Sequence, residues 1–246
     1  MRIAAISDVH GNRIALEAVA KSIRELDPDI VISLGDLVSG PFDPAGSADL
    51  HISLGYETIA GNHERQIIEG GTGLSDSYAR QCLSQSHKAW IEGLPKTATF
   101  DDGLVFACHG SPTGGDNDYL LEDVSSGRPV LNSKQVILDK LNGIGNAEVV
   151  LCGHSHIPRI VYVGGVLVVN PGSIGMPGYR SEKPISHVVE VGAPHARFAF
   201  LEKTRSGWSA ELRSIPYDFE LAALQAEAVD RPAVAHLIRN GWFASD

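Results

Sequence analysis

The sequence predicts an α+β fold: a four-layer α/β/β/α sandwich, in which two mixed β-sheets pack face to face and are flanked by helices. Two sequence patterns lead to this prediction. In the first part of the chain, short apolar runs alternate with segments of helical period, whereas from Thr97 onward paired strands flank tight turns. Two stacked sheets with helices outside bury the apolar faces of both kinds of segment. A chain of 246 residues with 43% hydrophobic content can fill one such core.

The first part of the chain predicts alternating strands and helices. A strand at residues 3–6 is followed by a helix, because apolar side chains recur at helical spacing until Pro28, where the residue before proline resists the helical region. Residues 30–34 form the second strand. A Pro/Gly-rich connection at residues 41–49 can hold a short helix before the next strand at residues 56–60.

The apolar run ends at Gly61, and a polar, helix-tolerant segment follows at residues 65–69, which predicts that a strand ends and a helix starts here. Ser75 can cap a second, long helix that runs through Trp90 and is closed by residues 93–95. We interpret this long helix as scaffold.

The second part of the chain is mostly β. Gly-containing turns predict two hairpins, and a helix is predicted between them at residues 133–141. The predicted strands lie at residues 97–100, 104–108, 149–152, 160–163, 166–169, 186–191, 196–203 and 208–215.

The last segment predicts two short amphipathic helices, at residues 218–228 and 232–239. We interpret them as a packing appendage. The domain prediction is therefore one domain over residues 1–246, with a catalytic core at 1–216 and a helical appendage at 217–246.

Composition limits the classes of partner. The net charge of −10 argues against a general nucleic-acid-binding surface, because phosphate backbones are bound mainly by Lys and Arg. Any phosphate chemistry must use a local positive centre. The apolar stretch at residues 157–169 is too short and too interrupted to span a membrane.

The cysteines and the start of the chain predict a cytoplasmic protein. Cys82, Cys108 and Cys152 are odd in number, far apart and without a Cys-x-x-Cys pair, which fits a reducing compartment. Cys108 and Cys152 end apolar runs, where cysteine behaves as a small hydrophobic residue. Met1 leads directly into the first strand, so no signal peptide is expected.

Polar residues suited to catalysis gather where five apolar runs end. Half of the ten histidines occupy these five short turns, together with two Asp and one Asn. Reactive groups collect beyond the carboxyl ends of strands in sheet proteins of this kind. Asn offers a neutral oxygen to a metal ion, and His titrates near neutrality. The residues are Asp8, His10, Asp36, Asn62, His63, His109, His154 and His156.

Read together, these turns resemble the signature of the calcineurin-like metallophosphoesterase superfamily. The matching motifs, in chain order, are Asp8-x-His10, Gly35-Asp36, Gly61-Asn62-His63-Glu64, His109-Gly110 and Gly153-His154-x-His156. The resemblance runs from residue 3 to about residue 175 and includes Asn170-Pro171-Gly172-Ser173. Each motif alone is weak, whereas the ordered set is highly specific.

Within the superfamily, the chain looks most like the small bacterial and archaeal phosphoesterases that open with Ser-Asp-x-His-Gly-Asn, matched here by residues 7–12. Many of those proteins carry Cys where His63 stands. The protein Ser/Thr phosphatases carry Asp-Arg-Gly shortly after their Gly-Asp, whereas this chain continues Leu37-Val38-Ser39-Gly40. This departure argues against phosphoproteins as the main substrates.

The resemblance implies two divalent metal ions. Asp8, His10, Asp36 and His156 would hold the first ion. Asp36 would bridge to the second ion, which Asn62, His109 and His154 would complete. Carboxylate, amide oxygen and imidazole together suit Mn, Fe or Zn better than Mg, which prefers oxygen ligands.

The implied reaction is hydrolysis by a hydroxide that bridges the two metals and attacks phosphorus directly. His63 follows the second-metal ligand Asn62 by one residue, and we expect it to protonate the departing oxygen as general acid. Either Glu64 or Asp8 could orient His63, and the sequence leaves this choice open.

Several segments carry two interpretations each. Residues 111–131 follow His109 without a helical or strand period, and they could border the substrate pocket or form an ordinary surface excursion. Arg180 is placed either to reach a phosphate or to lie in a solvated loop, and the solvated loop is the favoured interpretation. Asn12 and Arg13 carry the same two interpretations.

The leading functional hypothesis is a metal-dependent phosphoesterase for a small or nucleotide-like ester, with phosphodiesters favoured over phosphomonoesters. The alternative is a protein-interaction scaffold with little or no activity, because the retromer scaffold subunit uses this kind of fold for protein contacts. A nuclease is a third hypothesis, which the absence of a basic stripe disfavours. The expected partner is a small-molecule phosphate ester; the sequence says nothing about protein partners.

Overall fold

The computed structural model describes residues 1–244 and contains two five-stranded mixed sheets and two small two-stranded sheets. In chain order the strands are β1 (Arg2–Ile6), β2 (Ile30–Ser33), β3 (Glu57–Thr58), β4 (Thr97–Phe100), β5 (Val105–Cys108), β6 (Glu122–Asp123), β7 (Val130–Leu131), β8 (Val149–Leu151), β9 (Arg159–Val163), β10 (Val166–Asn170), β11 (Gly178–Ser181), β12 (His187–Glu190), β13 (Ala196–Thr204) and β14 (Gly207–Ile215).

The helices lie between and after these strands. They are α1 (Arg13–Leu26), α2 (Pro44–Leu54), α3 (Asn62–Glu69), α4 (Leu74–Cys82), α5 (Gln85–Glu92), α6 (Lys134–Lys140), α7 (Phe219–Ala228) and α8 (Pro232–Asn240). None of the helices found among residues 1–244 has the length and apolar character that crossing a lipid bilayer requires.

Each large sheet has a parallel centre with antiparallel strands at one or both edges. The first sheet has the order β14-β13-β1-β2-β3, in which β1, β2 and β3 run parallel. The second has the order β4-β5-β8-β10-β9, in which β5, β8 and β10 run parallel. All the parallel strands of a sheet end at the same edge, so the turns that follow them are gathered there.

The two sheets pack against each other through a shared apolar core. Ile3 and Ile32 of the first sheet belong to the same buried cluster as Val105 and Val149 of the second. On the outer faces, α1 covers the first sheet, with Leu16 packed near Phe198, and α6 covers the second through Ile137. The predicted four-layer α/β/β/α architecture is therefore confirmed.

The single long helix predicted from Ser75 to Trp90 is wrong. The structure has two helices, α4 and α5, because Leu83 between them adopts an extended backbone and buries its side chain among the apolar residues of α2, α3 and α5. Ser84 then caps α5, and its hydroxyl accepts a hydrogen bond from the His87 N–H at 3.1 Å. A cap at this position starts a new helix and ends the preceding one.

One strand prediction also needs correction: the strand predicted at residues 56–60 shortens to Glu57–Thr58, at the edge of the first sheet. The strand predicted at 186–191 is present as β12, which pairs antiparallel with β11 in a separate two-stranded sheet. The pattern at residues 178–181 gave no strand signal, since Gly178 and the polar residues after it lack an apolar alternation.

The two predicted C-terminal helices are present as α7 and α8, and they pack on the side of the molecule that carries α1. Ala222, Ala226 and Ile238 form a buried cluster with Phe42, and Met176 packs against that cluster. The helix pair therefore contacts two loops that follow strands, those containing Phe42 and Met176. The division into a core at 1–216 and an appendage at 217–246 stays a prediction.

Candidate metal centre

The seven predicted metal ligands come together where the carboxyl ends of the parallel strands of both sheets meet. Asp8 and His10 follow β1, Asp36 follows β2, Asn62 begins α3 after β3, His109 follows β5, and His154 and His156 follow β8. Short contacts join them across the two sheets: His109 Nε2 lies 3.2 Å from Asp36 Oδ2 and 3.1 Å from Asn62 Oδ1. All but His154 are buried.

The predicted ligands include two groups of three. Asp8, His10 and His156 have nitrogen or oxygen atoms within 4.8 Å of one another, and so do Asp36, His109 and His154. A carboxylate of each group approaches the other group: Asp36 Oδ2 lies 3.9 Å from His10 Nε2, and Asp8 Oδ1 lies 4.0 Å from His109 Nε2. His10, Asp36 and His63 form a third group within the same distance.

Hydrogen bonds fix the tautomers of three of the histidines. His10 Nδ1 faces the Ser39 carbonyl at 2.8 Å, His156 Nδ1 faces the Met176 carbonyl at 2.8 Å, and His109 Nδ1 faces the Leu34 carbonyl at 2.7 Å. Since a carbonyl only accepts, each Nδ1 must carry the hydrogen, and the neutral form of each ring presents an unprotonated Nε2. The carbonyl groups that accept from Nδ1 orient the rings, as the hydrogen-bond partners of metal-binding histidines do.

The resulting contacts bring acceptor atoms together. His10 Nε2 lies 3.0 Å from His156 Nε2, and His109 Nε2 lies 3.1 Å from the Asn62 carbonyl oxygen. Asp8 Oδ1 is buried without a hydrogen-bond partner and lies 3.3 Å from His156 Nε2. A cation between such lone pairs satisfies them. The residues present therefore fit bound divalent metal ions.

The backbone is strained at five of the seven residues. Asp8, His10, Asp36, His154 and His156 have φ between 52° and 65°, the left-handed region that non-glycine residues rarely adopt. Such conformations cost on the order of 1–3 kcal/mol each and cluster at functional sites. Here they turn consecutive ligand side chains, such as Asp8 and His10, toward one point.

Backbone N–H groups hold the two carboxylates in place. Asp36 Oδ1 accepts from the His63 N–H at 3.0 Å, and Asp8 Oδ2 accepts from the His154 N–H at 3.2 Å. The other oxygen of each carboxylate is thus directed toward the histidines. A side chain at Gly61 would put a Cβ 2.3 Å from Asp36 Oδ1, so this glycine is required for the close approach.

Charge and burial shift the pKa values of the ligands in different directions. Burial would raise the pKa of Asp8, but the nearby His156 and His109 outweigh it and lower that pKa to about 2. Burial lowers the pKa of His10 to about 4, together with repulsion from His156, and it lowers the pKa of His154 to about 3. The pKa of His109 moves the other way: burial would lower it, but the nearby Asp36 outweighs burial and raises it to about 10. Ionised carboxylates and neutral imidazoles are the forms that bind metals, so His109 would release a proton when an ion binds.

His63 lies beside the seven ligands and is fixed by a carboxylate from another helix. Its Nδ1 lies 2.6 Å from Asp76 Oδ1 in α4, and its Nε2 points toward the centre, 4.0 Å from Asp36 Oδ2. Partial burial would lower the pKa of His63, but Asp36 and Asp76 outweigh it and raise the pKa to about 9. Asp76 is buried and also accepts a hydrogen bond from the Ser39 hydroxyl at 2.6 Å.

The comparison with known families agrees with this geometry. A family model, the calcineurin-like phosphoesterase superfamily domain, matches residues 1–192. The chain belongs to the calcineurin-like phosphoesterase superfamily. The match covers the turns that carry all seven ligands and His63, which lie between residues 8 and 156.

Individual relatives of this superfamily member are distant in sequence and similar in fold. It is 23% identical over 201 residues, 71% of this chain and 76% of the relative, to the uncharacterised protein MJ0912 of Methanocaldococcus jannaschii. The crystal structure of a metallophosphoesterase from Sphaerobacter thermophilus is similar with a TM-score of 0.76 and 22% identity, covering 98% of this chain and 99% of that one. Hypothetical protein PH1004 from Pyrococcus horikoshii OT3 has a TM-score of 0.78 at 19% identity, with 99% of each chain covered.

Neither residue that the sequence offered for orienting His63 does so in this phosphoesterase-superfamily chain. Glu64 is engaged elsewhere, because its carboxylate accepts from the N–H groups of Asp36 at 2.7 Å, Leu37 at 2.8 Å and Gly61 at 2.9 Å. It thereby ties the turn after β2 to the start of α3. Asp76 orients His63 instead. No local sequence pattern around residue 76 distinguishes this aspartate from an ordinary carboxylate at the start of a helix.

A shell of aromatic residues that the sequence did not reveal packs on the two histidines after β8. The Tyr119 ring lies 4.8 Å from the His154 ring, and the Tyr179 ring lies 4.8 Å from the His156 ring. The Tyr179 hydroxyl donates to the Tyr119 oxygen at 3.0 Å, and the Tyr119 oxygen lies 2.9 Å from His187 Nε2. The shell thus links residues 111–131 to β11 and β12.

A cavity of about 1430 Å³ opens from the metal centre. Residues 114 and 117–119 line it, so the segment at 111–131 borders this cavity. Arg180 lines it as well and is exposed. Asn12 has a structural role: its side chain caps α1 and donates to the Gly175 carbonyl at 3.2 Å. Arg13 forms an ion pair with Glu17 at 2.8 Å, away from the centre.

Proposed function

We propose that this chain hydrolyses phosphate esters at a dinuclear metal centre, with His63 as the general acid. The observation that carries the proposal is the position of His63: its Nδ1 is held by Asp76, and its Nε2 faces the point where seven ligand side chains converge. An interaction scaffold needs no such histidine. The superfamily membership supports a phosphoesterase.

The proposed ligands are Asp8, His10, Asp36 and His156 for one ion, and Asp36, Asn62, His109 and His154 for the other, with Asp36 shared. Ions held there would activate water and clamp the phosphate oxygens, and Mn, Fe or Zn suits this mixture of ligands. The free cysteines Cys82, Cys108 and Cys152 are consistent with a cytoplasmic location, which we retain as part of the proposal.

The chain's own contribution lies on the leaving-group side. As a new P–O bond forms from water, the bond to the ester oxygen breaks, and that oxygen becomes a strong base unless it receives a proton. His63 Nε2 supplies the proton, and the His63 Nδ1–H stays hydrogen-bonded to Asp76, which keeps the ring in one orientation and one tautomer. Transfer of a positioned proton contributes about 10²- to 10⁴-fold in rate.

We expect the purified protein to hydrolyse bis(4-nitrophenyl) phosphate when Mn²⁺ is present and to lose this activity when the metal is removed with a chelator. Release of nitrophenolate is measured by absorbance. Phosphodiesters are the preferred class in this proposal, and 4-nitrophenyl phosphate tests the monoester alternative in the same assay. Failure to hydrolyse either ester with Mn²⁺, Fe²⁺ or Zn²⁺, in protein shown to bind metal, would favour the scaffold.

A further inference from the structure

The cavity is larger than a scissile phosphate needs. At about 1430 Å³ it exceeds the about 300–1,000 Å³ that small-molecule sites usually enclose. The metal centre occupies one part of it, and β11, the loop after β11, the start of α8 and Phe243 line another part. The organic portion of an ester held at the metal centre would extend into this second part.

Cationic side chains line this second part. Arg180 and Lys183 come from β11 and the loop after it, and Arg231 comes from the residue before α8. We call these three residues the basic wall. Within residues 1–244 none of the three forms an ion pair, whereas Arg65 at the same cavity is paired with Asp116 through two hydrogen bonds.

The carboxylates that line the cavity do not neutralise the basic wall. Asp118 is already paired with Lys140 at 2.6 Å, and Asp36 belongs to the metal centre. Glu182 lines the cavity as a negative charge, and Glu190, which is itself paired with Arg128, also acts on Arg180. The three cations of the wall still outnumber these free counter-charges, in a protein whose net charge is −10. An excess of cations at a cavity is suited to an anionic ligand.

The wall is held in position, and apolar groups lie beside it. The Arg180 guanidinium stacks over the Phe243 ring, 4.7 Å from its centroid, and the Phe243 N–H donates to Glu190 Oε1 at 2.8 Å. Val234 and Leu237 of α8 line the same part of the cavity. The site therefore offers charge for an anion and an apolar surface for a ring, the two parts of a nucleotide.

The basic wall is close enough to the metal centre for one molecule to reach both. Tyr179 packs its ring on His156, and both residues line the same cavity as Arg180. An anionic group on the organic part of an ester can therefore contact the wall while the scissile phosphate lies at the metal centre.

We propose that the basic wall binds a second phosphate carried by the organic part of the substrate, so that the substrate is a nucleotide-type ester with negative charge beyond the scissile phosphate. This inference rests on the proposed phosphoesterase function and narrows its substrate class.

Two chromogenic esters that differ only in the remote phosphate test the proposal: thymidine 5′-(4-nitrophenyl phosphate), with and without a phosphate on the 3′-oxygen. The protein should show a lower KM for the 3′-phosphorylated ester. In Arg180→Ala and in Arg231→Ala, we expect KM for that ester to rise about 10- to 100-fold, the range of one charge-assisted hydrogen bond. KM for the unphosphorylated ester and kcat for both should stay within about threefold.

Arg205→Ala is the matched control, because it removes the same charge from the exposed turn between β13 and β14. It should leave the preference intact. Equal KM values for the two esters in the unaltered protein, equal losses on both esters in the wall variants, or the same loss in Arg205→Ala would each overturn the proposal. In those cases hydrolysis of the unphosphorylated ester still supports the proposed function. No hydrolysis of either ester by the metal-loaded protein would overturn both.

Discussion

We expect Asp36→Asn to lose at least about 10³-fold in rate on an aryl phosphodiester while the protein stays folded. Asp36 is the carboxylate that the proposal assigns to both ions, and its Oδ2 lies 3.2 Å from His109 Nε2 and 3.9 Å from His10 Nε2. The amide keeps the shape of the side chain but removes its charge from between the two groups. Losing a single oxyanion donor already costs about 10²- to 10³-fold in enzymes, and this change would affect both of the proposed ions.

The measurement combines steady-state kinetics with metal content after dialysis, and circular dichroism reports on the fold. Asp49→Asn is the matched control, because Asp49 is exposed and forms a hydrogen bond with His87 at 2.9 Å, away from the site. It should behave as the unaltered protein does. An Asp36→Asn variant that retains both ions and most of its rate would contradict a shared ligand at position 36.

The second large effect should come from His63→Ala, with a loss of about 10²- to 10⁴-fold on esters with alkoxide leaving groups and with the metal content preserved. An alkoxide leaves poorly unless it is protonated, whereas nitrophenolate is a stable anion. The deficit of the variant should therefore shrink as the leaving group becomes more acidic, provided that chemistry limits the rate. Kinetics on a series of esters with leaving groups of increasing acidity provides the measurement.

Two further variants make this test specific. Asp76→Asn should show the same trend with a smaller deficit, because His63 stays in place but loses the carboxylate that orients it and helps to raise its pKa. His87→Ala removes a helix histidine that is also paired with an aspartate, but far from the centre, and should have no effect. A deficit that is equal across the series, or that comes with metal loss, would place His63 in metal binding or phosphate positioning.

The parts of the site that follow strands could be predicted from the sequence because their signal is local. Each apolar run ends in a short polar turn, and parallel strands bring such turns to one edge whatever the details of the helices. His109 and His154 come from the second sheet, yet their motifs are as readable as that of Asp8 in the first. The sandwich of two sheets was predictable for the same reason.

The parts that depend on contacts between distant elements could not be predicted. Asp76 reaches His63 because α4 packs across α3, and nothing in the residues around position 76 encodes that packing. Glu64 looks like a partner for its neighbour His63, but three backbone N–H groups at the turns it faces compete for its carboxylate and hold it. The break at Leu83 has a similar origin in tertiary burial.

The C-terminal helices show the same limit. Their apolar spacing predicts helices that pack on the domain, and α7 and α8 do so. Spacing alone gives no sign that Arg231 and Leu237 line the cavity, because this depends on where the pair docks. The sequence of α7 and α8 therefore predicts the helices themselves but does not predict that they line the cavity.

The most direct test of the proposed dinuclear centre is a titration of metal-stripped protein with Mn²⁺, in which isothermal titration calorimetry measures the binding. The two groups of predicted ligands, Asp8-His10-His156 and Asp36-His109-His154, predict that binding saturates at two ions per chain. Saturation at a single ion per chain would contradict the dinuclear centre from which the proposed chemistry follows.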